Sequence, residues 1–238
     1  KRTILDLVTA AGAAKACLIE EPLAAALGAG LGSNRPVGTM IVDIGGGTTD
    51  IAVITMGCIS VSRSIKVAGN ALNEAIVRQI RRERDVVLGD KTGEFIKKQI
   101  GCSYLRDVEL GLTVKGKHFI TNMPVSIEVS STEAYLAMRP HLETIAEAVR
   151  SVLELTPPEL SADIAESGIR LTGGGALLYG IDEMIERKTG VKTTVAESPL
   201  NCVALGTGEA LSHMDILSQN GYVFKARDEI GGLDPKTE

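Results

Sequence analysis

The stretch VDIGGGTTDIAVI, residues 42–54, limits what this chain can fold into more than any other segment. An aspartate sits among β-branched residues. Three glycines and two threonines follow, and a second aspartate opens another apolar run. Strand-like sequence on both sides makes the glycines a connection between strands, not a weak strand. Such a run lets the backbone take positive φ and leaves no Cβ between the amide groups and an approaching ligand. Consecutive N–H groups on a bare bend form a nest for an anion, typically phosphate. Thr48 and Thr49 add hydroxyls at the same rim. Asp43 points to the kind of anion. A carboxylate beside a phosphate nest repels it unless a divalent cation lies between them. Mg²⁺ suits that place, because it is usually held by one or two carboxylates plus phosphate oxygens. Taken alone, the segment also reads as a glycine hairpin with two capping aspartates.

A second glycine junction lies far away, in RLTGGGALLYGIDEMI at 170–185, where a strand gives way to a helix. Bare backbone at a helix N-terminus admits a phosphate or a flat ring closely. Neither junction is a P-loop, since no Gly-Lys-Ser/Thr follows. The first is followed by strand, so it is not a dinucleotide fingerprint. GAGLG at 28–32 follows a helix and reads as a C-cap and loop. Two such turns, with a Glu-Pro strand end at 21–22, point to a nucleotide.

Hydrophobic spacing orders the rest. A helix is expected over 2–15, a short strand over 16–22 running into Glu20, Glu21 and Pro22, and an alanine-rich helix with Pro22 in its first turn. Residues 28–36 read as a loop. Runs at 38–44, 48–55 and 58–67 predict an antiparallel meander with a tight turn at Met56–Gly57. Helices are expected at 69–85 and 92–101, and strands of a small sheet within 107–130. A long helix follows over 130–155, capped by Ser131 or Thr132 and broken or kinked at Pro140, until Pro157–Pro158 stops it. Strand, glycine turn and capped helix fill 167–190; VKTTVA is a strand, and a helix follows Pro199. The tail from about 219 is polar, with a disordered end. Residues 68–150 read as an insertion between two parts of a larger domain.

Composition narrows the class. Apolar residues at 44% and charged residues at 23% are those of a soluble globular protein. A net charge of −5 without long runs of one sign gives no nucleic-acid surface. The basic cluster RQIRRERD at 78–85 carries acids and reads as a solvated helix face. Cys17, Cys58, Cys102 and Cys202 form no CxxC pair, which fits reduced, partly buried thiols in the cytosol better than zinc or disulfides. No stretch suits a bilayer span, and the start is not a signal peptide.

The strings IEEPLAAALG, VDIGGGTTDIAVI, TPPELSADI followed by GIRLTGGGALL, and PLNCVALGTGEAL together resemble the actin-like ATPase superfamily. Within it they resemble the MreB family, the bacterial rod-shape-determining actin homologues, to about residue 217. The resemblance implies an α/β, actin-like (ribonuclease H-like) ATPase fold: a mixed sheet flanked by helices, with an inserted smaller α/β subdomain. Residues 1–35 would be a remnant of the first domain, 36–68 and 151–210 the nucleotide-binding core of the second. Residues 69–150 would be the inserted subdomain, and 211–238 a carboxy-terminal helix and tail.

The resemblance also implies ATP and Mg²⁺ as cofactors. Asp43 would hold the Mg²⁺ shell. Gly45, Gly46, Gly47 and Thr48 would cradle the β- and γ-phosphates, and Glu21 would polarise the attacking water. Glu20 is the alternative, since strand alternation lets only one of the pair face the cleft. Glu94, Lys97 and Lys98, on one helix face, would hold ribose and adenine. Gly173, Gly174, Gly175, Ala176 and Leu177 would line the purine and α-phosphate side. The family's amino-terminal quarter, with another phosphate loop and the membrane-contacting elements, is expected to lie outside this sequence. Asn70 and Asn73 stand where the family usually has acids.

The function implied is ATP hydrolysis timed to head-to-tail self-assembly. Partners would be cell-wall synthesis and membrane morphogenesis proteins. The place would be the cytoplasm, at the inner face of the membrane in a complete protein. A chaperone-type ATPase, a small-molecule kinase of the same superfamily and a non-hydrolysing fragment stay open.

Overall fold

The computed structural model describes residues 2–31, 36–223 and 225–226. The elements run α1 (Arg2–Ala10), β1 (Lys15–Ala16), α2 (Glu21–Gly28), β2 (Thr39–Ile44), β3 (Thr49–Thr55), β4 (Cys58–Ile65), α3 (Gly69–Arg84), β5 (Val86–Val87) and α4 (Asp90–Ile100). They continue with β6 (Gly111–His118), β7 (Pro124–Ser130), α5 (Ser131–Leu155), α6 (Pro158–Ser167), β8 (Ile169–Thr172), a 3₁₀ turn (Gly174–Leu177), α7 (Ile181–Thr189) and β9 (Thr193–Val195). The series closes with α8 (Cys202–Ser212), α9 (Met214–Gln219) and β10 (Lys225–Ala226).

The central sheet has five strands in the order β4-β3-β2-β8-β9. β2, β3 and β4 form the expected antiparallel meander, while β2–β8 and β8–β9 are parallel, so the sheet is mixed. The β3–β4 turn is tight because Met56 and Gly57 both take positive φ, 50° and 74°, the requirement of a two-residue hairpin turn whose twist matches its strands. β2 and β3 are buried on both faces. Met40, Val42 and Ile44 join one apolar cluster with α3, α5 and α7; Ile41 joins a second with α2 and α8. Side chains alternate along a strand, so Asp43, two residues after Ile41, belongs to the α2–α8 face.

A second sheet, β5-β6-β7, packs with α3, α4 and the start of α5. The small sheet expected within 107–130 is present as β6 and β7, with β5 (not marked by the sequence) added at its edge. α5 begins with a capping box at Ser130, whose hydroxyl accepts from the Glu133 N–H while the Glu133 carboxylate accepts from the Ser130 N–H. The cap is thus one residue earlier than the sequence suggests; Ser131 is already helical, with its hydroxyl accepting from Leu110 N–H. Pro140 does not break α5, which runs unbroken from Ser131 to Leu155.

Other expectations are corrected. The strand over 16–22 is only the two-residue β1, paired antiparallel with β10. Glu20 and Glu21 lie instead at the start of α2, as N-cap and first residue, so strand alternation does not choose between them. α6 was not foreseen: the proline pair that stops α5 also starts a helix, with Pro158 in its first turn, where a missing N–H costs nothing. Part of the 28–36 loop and the end of the tail fall outside the described residues.

Candidate functional site

β2 and β8 run parallel with Asp43 opposite Thr172. Both strands therefore end at the same level, and the two glycine turns meet there. Gly173 takes φ +80°, and a Cβ there would fall 2.4 Å from the Ile44 carbonyl oxygen and 2.5 Å from Asp43 Oδ1. Gly175 is similarly closed by the Ile44 side chain, at 2.2 Å. The second turn is glycine because the first turn lies against it.

The first turn works differently from the reading of its sequence. Gly45, Gly46 and Gly47 are not among the glycines with positive φ. A Cβ on Gly47 would meet nothing within 4 Å, and one on Gly46 only the Asn70 amide at 3.6 Å. What the glycines provide is a bare rim. Gly45 N–H closes the turn on the Thr48 carbonyl at 2.9 Å. Among the described residues, the N–H groups of Gly46, Gly47 and Thr48 have no acceptor. The carbonyls of Gly45 and Gly46 accept from Gly69 and Asn70 N–H at the start of α3, at 3.1 and 2.8 Å. Thr49 is not at this rim: it is fully buried, and its hydroxyl donates to the Val67 carbonyl at 2.7 Å.

Asp43 is buried, 4% exposed, and accepts a hydrogen bond from Thr172 Oγ1 at 3.0 Å. Burial pushes its carboxyl above the ordinary range; Thr172 opposes this, while Glu21 and Asp50 add to it. Asp50 stands directly opposite Asp43 across the β2–β3 ladder, a like-charge pair that is unfavourable without a neutralising partner. Glu21 is exposed at the head of α2. Glu20, its alternative, has its carboxylate engaged by the Tyr222 hydroxyl. Among the described residues, no group of three or more His, Cys, Asp or Glu stands close enough to hold a metal by itself.

Beside the turns opens a cavity of about 500 Å³, within the range of small-molecule sites. It is lined by Gly45 and Gly46 from the first turn, by Gly174, Gly175 and Leu177 from the second, and by Glu94, Lys97 and Lys98 from α4. Eight residues given nucleotide-site roles from the sequence thus share one wall system, and Asn70 and Asn73 line it too. The helical spacing of Glu94 and Lys98 gives an ion pair of 2.7 Å on the exposed side. Lys97 turns inward, and its Nζ donates to the Gly69 carbonyl at 2.9 Å. Burial holds its ammonium below the usual lysine range, with Glu94 opposing. Asp43, Glu21, Gly47, Thr48 and Gly173 lie outside the cavity's lining, as does Ala176, which is buried in the core.

The sequence did not mark Gly69, Arg106, Tyr179 or Leu200, which also line the cavity. Arg106 lies in an irregular stretch where periodicity carries no signal. Its guanidinium sits 3.8 Å over the Tyr179 ring. Burial pushes the Cys102 thiol up, and the neighbouring Arg106 pulls it the other way. The cysteines are free, Cys102 and Cys202 buried, Cys17 half-buried and Cys58 exposed.

The chain is similar to known proteins. The chain is 42% identical to the cell shape-determining protein Mbl of Bacillus subtilis over 217 residues, covering 91% of this chain and 65% of that protein. It is equally identical to the cell shape-determining protein MreB of Escherichia coli K12, over 91% of this chain and 62% of that one. The chain therefore spans a little under two thirds of these relatives. Among solved structures, MreB5 of Spiroplasma citri bound to ADP superposes with a TM-score of 0.86 at 38% identity, covering 92% of this chain and 67% of that one. The same protein bound to AMPPNP gives 0.79 at 40%, covering 85% and 61%. The MamK double helical filament, 20% identical with a TM-score of 0.63 over 82% of this chain and 58% of that one, shares the actin-like fold. The MreB/Mbl protein family model matches residues 1–219, and the chain belongs to the MreB/Mbl family.

Proposed function

We propose that this chain is the nucleotide-binding part of a filament-forming bacterial actin homologue. It would hydrolyse ATP in step with assembly and help determine rod shape by organising cell-wall synthesis. The observation that carries this reading is the meeting of two glycine turns at the ends of adjacent parallel strands. Buried Asp43 lies beneath them and a nucleotide-sized cavity alongside. The relatives support it: two are named cell shape-determining proteins, and MreB5 was crystallised with ADP and with AMPPNP.

The residues present suit magnesium and a triphosphate together. Asp43 is buried with Glu21 and Asp50 adding negative charge, which a divalent cation would offset. Too few carboxylates converge to bind a metal without phosphate oxygens. Asp43 would hold Mg²⁺, which would supply charge neutralisation on the phosphates. The free N–H groups of Gly46, Gly47 and Thr48 would take the β- and γ-phosphate oxygens. Glu94, Lys97 and Lys98 would flank the nucleoside, with Gly174, Gly175 and Leu177 forming the opposite edge and Gly173 and Ala176 supporting it from behind. Glu21 would orient the attacking water; the protein's work in such a transfer is positioning and electrostatics.

The division proposed from sequence follows from the same reading. The second-domain core is 36–68 and 151–210, the inserted subdomain 69–150, the first-domain remnant 1–35 and the carboxy-terminal piece 211–238. Subunits would join head to tail, a heterologous contact that does not close and so grows filaments. Cell-wall synthesis and membrane morphogenesis proteins would be the partners, in the cytoplasm at the membrane's inner face. Among the described residues, no helix is long and apolar enough to cross a membrane.

Light scattering and phosphate release, each with and without MgATP, test the proposal. Nucleotide-dependent scattering with slow release is expected, and Glu21→Ala should abolish release while ATP still binds. Phosphate transfer to a sugar would indicate a kinase instead, and no response to MgATP would overturn the reading.

A further inference from the structure

Among the described residues, two buried side-chain polar atoms lack any hydrogen-bond partner: Asn73 Oδ1 and Arg106 Nε. Buried polar groups in folded proteins are nearly always satisfied, and an exception calls for a cause. These two residues are distant in sequence, Asn73 on α3 and Arg106 in the irregular stretch after α4, yet both line the cavity beside the glycine turns. We infer that Asn73 and Arg106 are specificity-determining contacts for the nucleoside half of the ligand, Asn73 meeting a sugar hydroxyl and Arg106 an acceptor on the base. This rests on the nucleotide reading above and adds to it residues from outside the motifs that suggested it.

Their positions order the contacts. Gly69 and Asn70 hold the carbonyls of Gly45 and Gly46, which fixes the phosphate end of the cavity at the head of α3. Asn73 lies one helical turn along α3 from Gly69, about 6 Å at 1.5 Å per residue. That is roughly the step from a phosphate to its sugar. Asn73 packs against α4 at Gly93, where a Cβ would meet the Asn73 carbonyl oxygen at 2.9 Å. Arg106 is tied to the far end of the same helix, its Nη2 donating to the Gly101 carbonyl at 3.3 Å. Gly93 and Gly101 are about 12 Å apart along α4. One ligand group cannot serve both side chains; an extended nucleoside can.

The chemistry separates the roles. Arg106 is donor-only, so its ligand partner must accept. The guanidinium already stacks on Tyr179, and a base ring beside it extends that stack while offering ring nitrogens as acceptors. Asn73 carries an acceptor and a donor at the two ends of one amide. Rotation about its last side-chain bond exchanges them. A hydroxyl donates and accepts, so it suits either orientation.

The test is calorimetric titration of the purified protein with the magnesium complexes of ATP, 2′-deoxy-ATP, 3′-deoxy-ATP, 7-deaza-ATP and 1-deaza-ATP, repeated on Asn73→Leu and Arg106→Met. Asn73→Leu should lower ATP affinity about tenfold, the loss expected for one hydrogen bond. It should also leave the melting temperature without nucleotide equal or higher, because the leucine removes an unsatisfied oxygen. Wild type should discriminate against one of the deoxy analogues, and Asn73→Leu should not. Arg106→Met should abolish discrimination against one deaza analogue, and Arg106→Lys should restore part of it. Variants that keep the wild-type affinity and penalties would overturn the inference while leaving the nucleotide reading intact. A wild-type protein that binds none of these compounds would overturn that reading, and this inference with it.

Discussion

At the residue scale, Asp43 concentrates the tension in this molecule. Its carboxyl is pushed up by burial and by Glu21 and Asp50. A group whose folded pKa lies above its unfolded value contributes stability that is full below the unfolded pKa, about 3.9 for aspartate. That contribution is lost as pH rises through the folded value. At neutral pH the ionised carboxylate therefore costs stability in the nucleotide-free protein. Asp43→Asn keeps an oxygen to accept from Thr172 Oγ1 and removes the charge. Thermal unfolding without nucleotide should show the variant more stable than wild type near pH 7, with the difference shrinking toward pH 4. A constant difference across that range would show that the charge is not the cause. The same variant should lose Mg²⁺-dependent ATP affinity by at least about tenfold, or about 1.4 kcal/mol, as measured by titration with and without magnesium.

At the element scale, backbone contact outweighs side-chain chemistry. α2 crosses α8 so closely that a Cβ on Gly206 would lie 1.7 Å from the Ala24 carbonyl oxygen, and one on Gly28 would lie 1.8 Å from that of Cys202. Neither neighbour can rotate away, since both are backbone. Gly206→Val should destabilise by about 3 kcal/mol or more, or prevent folding, as read by denaturant unfolding; a stable variant would mean the helices part readily. α5 offers the opposite case. Pro140 is exposed in mid-helix, where it lacks an N–H for the carbonyl one turn back. Pro140→Ala should stabilise by about 1–3 kcal/mol, and an unchanged unfolding midpoint would mean that packing has already absorbed the proline.

These elements also show what the sequence could reveal. The meander was legible because β-branched runs flank a turn needing two positive φ angles, and α4 because Glu94, Lys97 and Lys98 keep helical spacing and Gly101 ends the helix. α6 was hidden because the proline pair signals a stop more loudly than a start. Thr48 and Thr49 read alike, yet Thr49 at the start of β3 is fully buried with its hydroxyl on the Val67 carbonyl. The three glycines suggested positive φ, whereas their use lies in what they leave open. Arg106 was invisible because only the path of 101–110 brings it beside Tyr179.

At the scale of the whole molecule, the cavity joins parts built on different sheets. One wall comes from α3 and α4, which pack with the three-stranded sheet. The other comes from the turns at the ends of β2 and β8 in the five-stranded sheet. Polar contact between these walls includes the Gly69 and Asn70 N–H bonds to the first turn, and the Lys97 bond to Gly69 ties α4 to α3 within one wall. A ligand touching both walls stabilises them together, by about 2.7 kcal/mol at a concentration one hundred times its Kd. Hydrogen exchange with and without MgATP should therefore show protection rising jointly along α4 and across 173–179, with little change at the β6–β7 turn. ATP with a chelator should give less protection of both. Protection confined to one wall would mean that the ligand sits on a single sheet's elements, and that the two glycine turns meet for packing alone.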